Sequence, residues 1–499
     1  MNKISAIFLS ALLLISFSLA LQKADAALAP VTINSNGLVT YNRVATKSLL
    51  SSERTPDANS DYIEDNYPLS IWHTSGSFQG GKFIDVTVTN FDGDLYSELL
   101  ISSLASGPLN GFNHDGSIRS GFPITGGGVA YSASIDNYVV AAFHVICDPG
   151  CNSRLNLYDG TGTLLWSKVT LGVGVTAAPV MYKEGGEIFI IYEDSYNTYL
   201  VDIEGDTLPG WPKFSNPHTF ATADFDDDGE NEIVVAPQSG NDHTTLQIYR
   251  KDATLLSETA SFGLQVRVYP VIGDVDGDGE LEIVVIGRQS SSPYNAQLNI
   301  FNYDGTLQAS YTVDDRTSYG TQASLADMNA DSIPEMLFMT NDLTYVMDHQ
   351  GNHLPGWPKV HFPTSSYNND SNIVVGDIVS DGDREYPEVV YTHKSGNTNF
   401  GTIKIFNHDG SEVEKWDGNQ LYPISTGRSN AIADIDADGF NEIIIAGKYW
   451  DGHSGYYPAI WAIDLNKHER PVDHGGIQWG GYSNDSGKSG LYINPLIEQ

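Results

Sequence analysis

The sequence predicts an all-β protein: a β-propeller of about eight, alternatively seven, four-stranded blades. Three observations predict it. A nine-residue acidic motif recurs: DVDGDGELE from Asp274, DFDDDGENE from Asp224 and DIDADGFNE from Asp434. Looser copies are NFDGDLYSE from Asn90 and DMNADSIPE from Asp327, and a stretched copy, DIVSDGDREYPE, runs from Asp377 to Glu388. β-Branched runs follow the strict copies, at Ile233-Val234-Val235, Ile283-Val284-Val285-Ile286 and Ile443-Ile444-Ile445, and such runs read as buried strands. The third observation is the spacing. Blade-forming repeats have periods of roughly 40–50 residues and four strands each. Two further positions, near Asp136 and Lys183–Gly186, have the flanking strands without the acids and complete a series of eight.

Each repeat is legible in order. A small-residue strand A precedes the acidic loop, as at Thr219–Ala223 and Val268–Gly273. The β-branched run after the loop is strand B. Strand C ends in a recurring turn: FNHDG at Phe112, LYDGTG at Leu157, FNYDG at Phe301, MDHQG at Met347 and FNHDG at Phe406. Strand D carries Gly121-Phe122-Pro123, Gly210-Trp211-Pro212 or Gly356-Trp357-Pro358. Proline removes a ladder donor and belongs on an outer edge strand. The order A, loop, B, C, turn, D is that of a propeller blade.

The loops carry the chemistry. Oxygen side chains at positions 1, 3 and 5 and a carboxylate at position 9 form a cage for a hard cation, and Ca²⁺ takes six to eight oxygens in a flexible geometry. A twelve-residue EF-hand loop between helices is a poor match, because these loops are shorter and join strands. The candidate ligands are Asp224, Asp226, Asp228 and Glu232; Asp274, Asp276, Asp278 and Glu282; and Asp434, Asp436, Asp438 and Glu442. The looser loops offer Asn90, Asp92, Asp94 and Glu98, and Asp327, Asn329, Asp331 and Glu335; the stretched loop offers Asp377, Asp381, Asp383 and Glu388. Gly229, Gly279 and Gly439 stand at position 6, where Leu95 and Ser332 replace glycine in the looser copies. About five or six Ca²⁺ sites are expected from loops of this kind.

Acidic loops between strands A and B, followed by an xxxDG turn and GWP, resemble the FG-GAP/VCBS repeats. That resemblance covers roughly residues 70 to 495. It implies a propeller of the kind found in integrin α-subunit headpieces and in bacterial secreted proteins, with calcium rigidifying the ring. Integrin-type relatives close with seven blades, hence the alternative count. Two segments compete to seal the ring: Ser70-Ile71-Trp72-His73, which resembles a D strand, and Ile477-Gln478-Trp479, after the last C strand.

Termini and composition set further bounds. Met1-Asn2-Lys3, an apolar run from Ile4 to Leu21 and Ala24-Asp25-Ala26 describe a secretory signal over residues 1–26. Residues 27–68 lack the repeat and read as a leader, and residues 69–499 as the propeller. The expected location is a bacterial periplasm, cell surface or medium. A formal net charge of −37, from 63 acidic and 26 basic residues, makes nucleic acid an unsuitable partner. Cys147 and Cys151, in CDPGC, read as a local disulfide in an exported chain.

No G-x-S-x-G, H-E-x-x-H or Gly-rich phosphate loop appears. The histidines of the repeated turns, His114, His349 and His408, read as turn structure. The favoured function is a secreted calcium-binding module for adhesion or for binding a glycan or protein. The alternative is a polysaccharide-active lyase or hydrolase. Candidate ligand-binding residues lie in one insertion of the last blade: Tyr449, Trp450, Asp451, His453, Tyr456 and Tyr457. Exposed aromatics beside polar groups suit stacking on sugar rings.

Overall fold

The computed structural model describes residues 83–103, 108–125, 128–144, 153–170, 178–194, 196–214, 217–237, 245–265, 269–289, 292, 294–316, 323–340, 343–360, 372–379, 386–394, 401–413, 430–450 and 456–465, with short strands at 31–33, 39–41, 69–70 and 477–479. The signal segment and the Cys147–Cys151 pair lie outside them, as does most of the leader. Residues 1–52 form one unit, in which Val31–Ile33 pairs antiparallel with Val39–Tyr41.

Residues 53–499 form the other unit, an eight-bladed propeller of antiparallel sheets. Blade 4 shows the plan. Its strands run A (Pro217–Ala223), B (Glu232–Pro237), C (Gln247–Tyr249) and D (Leu255–Glu258) and pair in that order. Blades 2, 3 and 6 repeat it over residues 128–169, 180–214 and 324–360. In blade 5 strand A is split: Leu264–Gln265 and Val271–Gly273 both pair with Glu282–Gln289. Blade 1 pairs Phe83–Thr89, Glu98–Ser103 and Asn110–Phe112.

Eight, not seven, is the blade count, and the two candidate seals do different jobs. Leu69–Ser70 pairs with Tyr456–Ile463 as the outermost strand of blade 8. The N-terminal segment thus seals the ring. Ile477–Trp479 instead pairs with Val374–Gly376, on the inner edge of blade 7. It does not complete blade 8; it adds a strand on the channel side of the neighbouring blade.

The core lies between blades. One buried cluster joins Val86 and Leu99 of blade 1, Val374 and Val390 of blade 7, and Ile432 and Trp461 of blade 8. This cluster spans the closure, so the ring is bonded shut by apolar burial as well as by the added strand. Val-, Ile- and Ala-rich B strands are buried throughout, as at Ile233–Ala236 and Ile443–Ala446.

A second device fixes how blades 1 to 6 each meet the next. The third residue of the turn after strand C offers its carbonyl to a side chain of the preceding blade. The donors and acceptors are Arg119 Nε to Gly160, Trp166 to Ile203, Trp211 to Lys251, Ser257 to Tyr303, Tyr311 to His349 and Trp357 to His408, at 2.5–3.1 Å. His349 and His408 therefore serve through their backbone, in keeping with a structural role for these turns. The imidazoles of His114 and His408 stack on Tyr96 and Tyr386 of the loops in their own blades.

The same contact explains the glycine of the G-W/F-P signature. A Cβ on Gly121, Gly210 or Gly356 would lie 1.7, 2.8 or 1.9 Å from the carbonyl oxygen of Thr161, Asp252 or Asp409 in the next blade. Gly356 (φ +83°) and Gly186 (φ +89°) share a left-handed backbone, but nothing lies within 4 Å of a Cβ at Gly186. Gly186→Ala should therefore cost about 1 kcal/mol, from conformation alone. Gly356→Ala should cost more than about 3 kcal/mol, because the collision adds to the strain. Denaturant melts of the two variants check this; equal losses would remove the close approach as the reason for the motif.

Candidate metal centres

Strand pairing dictates the loop length. The residue before position 1 pairs directly with position 9: Thr89 with Glu98, Ala223 with Glu232, Gly273 with Glu282, Ala326 with Glu335 and Ala433 with Glu442. Position 9 is thus the first residue of strand B. The stretched loop of blade 7 keeps this pairing, Gly376 with Glu388, and accommodates its extra residues within the loop.

Each of these glutamates is buried, and each uses one oxygen in the same way. Its Oε2 accepts the backbone N–H of position 2: Phe91, Phe225, Val275, Met328, Ile378 or Ile435, at 2.8–3.1 Å. Position 2 is apolar and buried in all six loops, so it plugs the loop into the core while its amide holds the glutamate. The carboxylate at position 1 wraps the turn. Asp224, Asp274, Asp327 and Asp434 accept the N–H groups of positions 5 and 6. Position 5 accepts from position 7, as Asp228 does from Glu230 and Asp438 from Phe440. Gly229, Gly279 and Gly439 sit at φ +85°, +91° and +93°, where a side chain is disfavoured.

These bonds gather the acids. Ligand-capable oxygens lie within 4.8 Å of one another in four clusters: Asp434, Asp436, Asp438 and Glu442; Asp92, Asp94 and Glu98; Asp224, Asp226 and Glu232; and Asp274, Asp276 and Glu282. Asp228 and Asp278 stand in their loops but outside these tight groups. In blade 6, Asp327, Asp331 and Glu335 do not converge in this way. There the amide of Asn329 donates to Glu335 Oε1 at 2.7 Å. In blade 7, Asp377 and Glu388 are buried at the two ends of the loop, and Asp381 and Asp383 lie outside the described residues.

The electrostatics show the cost of gathering these acids. Burial, with further push from the neighbouring aspartates, raises Glu232 to about 7 and Glu282 to about 8, against an ordinary 4.5. Burial does the same to Glu335, at about 8, and lifts Glu442 well above its usual range. A buried carboxylate facing other carboxylates is costly unless a cation or proton joins it. The donor set is all oxygen and largely anionic, which fits a hard cation.

Two basic residues beside the loops escape the motif. Arg119 pairs with Glu98 Oε1 at 2.8 Å and Asp92 at 3.3 Å. Arg250 pairs with Asp226 at 2.7 Å and Asp228 at 3.2 Å. Each follows strand C of its own blade, but the turn alone does not say which neighbour its arginine meets. The apolar residue at position 2 was visible, but a search for ligands passes over it.

The aromatic insertion of blade 8 is mostly strand. Strand B runs Glu442–Trp450 and strand C Tyr456–Ile463, with Tyr449 opposite Tyr457 and Trp450 opposite Tyr456 in the backbone ladder. Asp451 and His453 lie in the connection outside the described residues.

Residues 224–285 match the FG-GAP-like repeat, the segment that holds the loops of blades 4 and 5. No match to a curated protein was found for the sequence. Among solved structures, the fold is similar to the V. cholerae biofilm matrix protein Bap1, at 11% identity and a TM-score of 0.55, over 86% of this chain and 97% of that one. It is also similar to the exotype rhamnogalacturonan lyase YesX, at 14% identity and a TM-score of 0.52, over 86% and 81% of the two chains. The rhamnogalacturonan lyase YesW aligns over the same shares at 14% identity and a TM-score of 0.50. The class is thus an eight-bladed all-β propeller. Within that class, this is a chain that carries FG-GAP-like repeats.

A pH dependence follows from the glutamates. Their protons are held more tightly in the folded chain than in the unfolded one, so protonation stabilises the metal-free fold. That contribution is full below about 4.5 and is lost as pH rises through about 7 to about 8. In chelator, the melting temperature should therefore fall between pH 5 and pH 8.5. Excess Ca²⁺ should abolish the fall, because a cation takes the place of the protons. A chelated protein equally stable at both values would contradict the assignment of strain to these clusters.

Proposed function

We propose that this is an exported propeller, stabilised by Ca²⁺, that acts as a binding or adhesion module for a glycan or an envelope protein. The observation that carries it is the division of labour between the two rims. In an antiparallel blade the A–B and C–D turns fall at one end and the B–C connections at the other. The acidic loops are all A–B turns, so they share a rim with the inter-blade turns. The aromatic hairpin of blade 8 is a B–C connection and belongs to the opposite rim. Calcium in this arrangement is structural, and the ligand binds away from it.

Export rests on the N-terminal sequence, and extracellular calcium at near-millimolar levels would fill weak sites of this kind. No helix among the described residues is long and apolar enough to cross a membrane. Similarity to a biofilm matrix protein supports the adhesive reading. Similarity to rhamnogalacturonan lyases keeps a second reading open, a polysaccharide-active enzyme on the same scaffold.

Binding to a panel of acidic and neutral polysaccharides tests both. Binding is expected in Ca²⁺, with Trp450→Ala weakening it about tenfold, or about 1.4 kcal/mol, while the melting temperature stays unchanged. Absence of binding to any polysaccharide or envelope protein would remove the first reading. Release of unsaturated sugar products from rhamnogalacturonan, followed by absorbance, would replace it with the second.

A further inference from the structure

The four carboxylate clusters are not equivalent. In blade 1 the free oxygen of the buried glutamate already has a partner. Glu98 Oε2 holds the Phe91 amide, as in every loop, and Oε1 is taken by Arg119 Nη1 at 2.8 Å. The same guanidinium nitrogen reaches Asp92 at 3.3 Å and Asn113 Oδ1 at 3.4 Å. Its carbon lies 5.0 Å from the Phe91 ring centroid, a cation–π contact. Nε donates to Gly160 O of blade 2 at 3.1 Å. The Arg119 side chain is only 13% exposed. It is held on every side, and one of its bonds is the latch to the next blade.

The loop itself is adjusted to match. Position 1 is Asn90, neutral where the strict loops have aspartate. Its Nδ2 donates to the carbonyl of Asp94 at 2.7 Å, and its Oδ1 accepts from Gly93. One acid fewer and one largely buried cation more bring the formal charge of this loop to −2 (Asp92, Asp94 and Glu98 with Arg119), against −4 for the four acids of blade 5, and the oxygen a metal would need on Glu98 is already bonded.

Blade 4 offers the contrast. Arg250 pairs with the two aspartates, Asp226 and Asp228, and its side chain is 39% exposed. The latch from blade 3 to blade 4 is made by Trp211, so Arg250 can swing into solvent without loosening the ring. In blade 5 the neighbour is an uncharged amide, Gln308, donating to Asp276. In blade 8 four acids converge.

We infer that Arg119 is a built-in cation that stands in for the metal ion in blade 1, so that Ca²⁺ loads blades 4, 5 and 8 and not blade 1. The inference rests on the calcium reading of the strict loops. It leaves blade 1 served by its own side chain, while blades 4, 5 and 8 depend on external calcium.

Calcium equivalents bound by the full chain, measured by equilibrium dialysis with metal analysis, test this on Glu98→Gln and Glu282→Gln. Glu98→Gln should bind as many equivalents as the unaltered protein, and Glu282→Gln one fewer. Loss of an equivalent in Glu98→Gln would overturn the inference. An unchanged count in Glu282→Gln would overturn the calcium reading beneath it. Should Glu98→Gln fail to fold, hydrogen exchange on the unaltered protein decides. Chelator should deprotect the amides of Val275 and Ile435 at least tenfold and leave that of Phe91 unchanged; equal deprotection of Phe91 would overturn the inference.

Discussion

The structure depends on one repeated bond: a buried glutamate accepting the backbone N–H of an apolar residue seven positions before it. It recurs in five loops at that separation, and in blade 7 at ten. The bond does three things at once. It closes the hairpin between the two innermost strands, because the glutamate is the first residue of strand B. It holds an apolar side chain in the core, because the residue whose amide it accepts is buried in all six loops. In blades 1, 4, 5 and 8 it also gathers the glutamate with two or three acids of its own loop. Burying a carboxylate is unfavourable without a partner, so the chain that uses this bond must neutralise the far oxygen somehow. The chain meets that requirement with an arginine in blade 1 and an asparagine amide in blade 6, and leaves converging carboxylates in blades 4, 5 and 8.

The ring follows from repetition. No blade encloses its own core; the buried clusters run between blades. Each blade therefore needs a fixed angle to the next. That angle is set by a side-chain donor reaching one turn carbonyl, whatever the donor's type. Tryptophan serves in three blades, and tyrosine, serine and arginine serve in one each. Before Trp211 and Trp357 a glycine also stands, because a Cβ there would collide with the next blade's carbonyl. The turns and the acidic loops share one rim, and the B–C connections lie on the other. The aromatic hairpin of blade 8 belongs there.

Much of this was legible in the residues. The spacing left eight or seven blades, and the sheets give eight; Asp136 and Gly185-Gly186 lie in hairpins at the two positions that have the flanking strands without the acids. The glutamate of blade 7 keeps the pairing of the other loops despite three extra residues, which the stretched motif alone did not reveal. The seal was legible only as a choice between two segments. Short strands such as Leu69–Ser70 carry too few residues to name their partner, and the inner-edge pairing of Ile477–Trp479 has no local pattern at all. Arg119 was invisible for a different reason. Its contacts with the acidic loop and with the next blade lie 21 to 41 residues away in sequence, and nothing in a turn reading FNHDGSIR says which neighbour its arginine meets. A motif names the ligands a loop can offer; only the fold shows whether another side chain has taken their place.

The central claim is that the glutamate's far oxygen, with its neighbours, is the metal-seeking end of a structural bond. Diffraction from crystals grown in Ca²⁺, with anomalous scattering recorded at long wavelength, tests it most directly. The account predicts calcium peaks beside Glu232, Glu282 and Glu442, with each glutamate still bonded to the amide of Phe225, Val275 or Ile435. Ions bound elsewhere on the ring, or glutamates turned away from those amides, would contradict it.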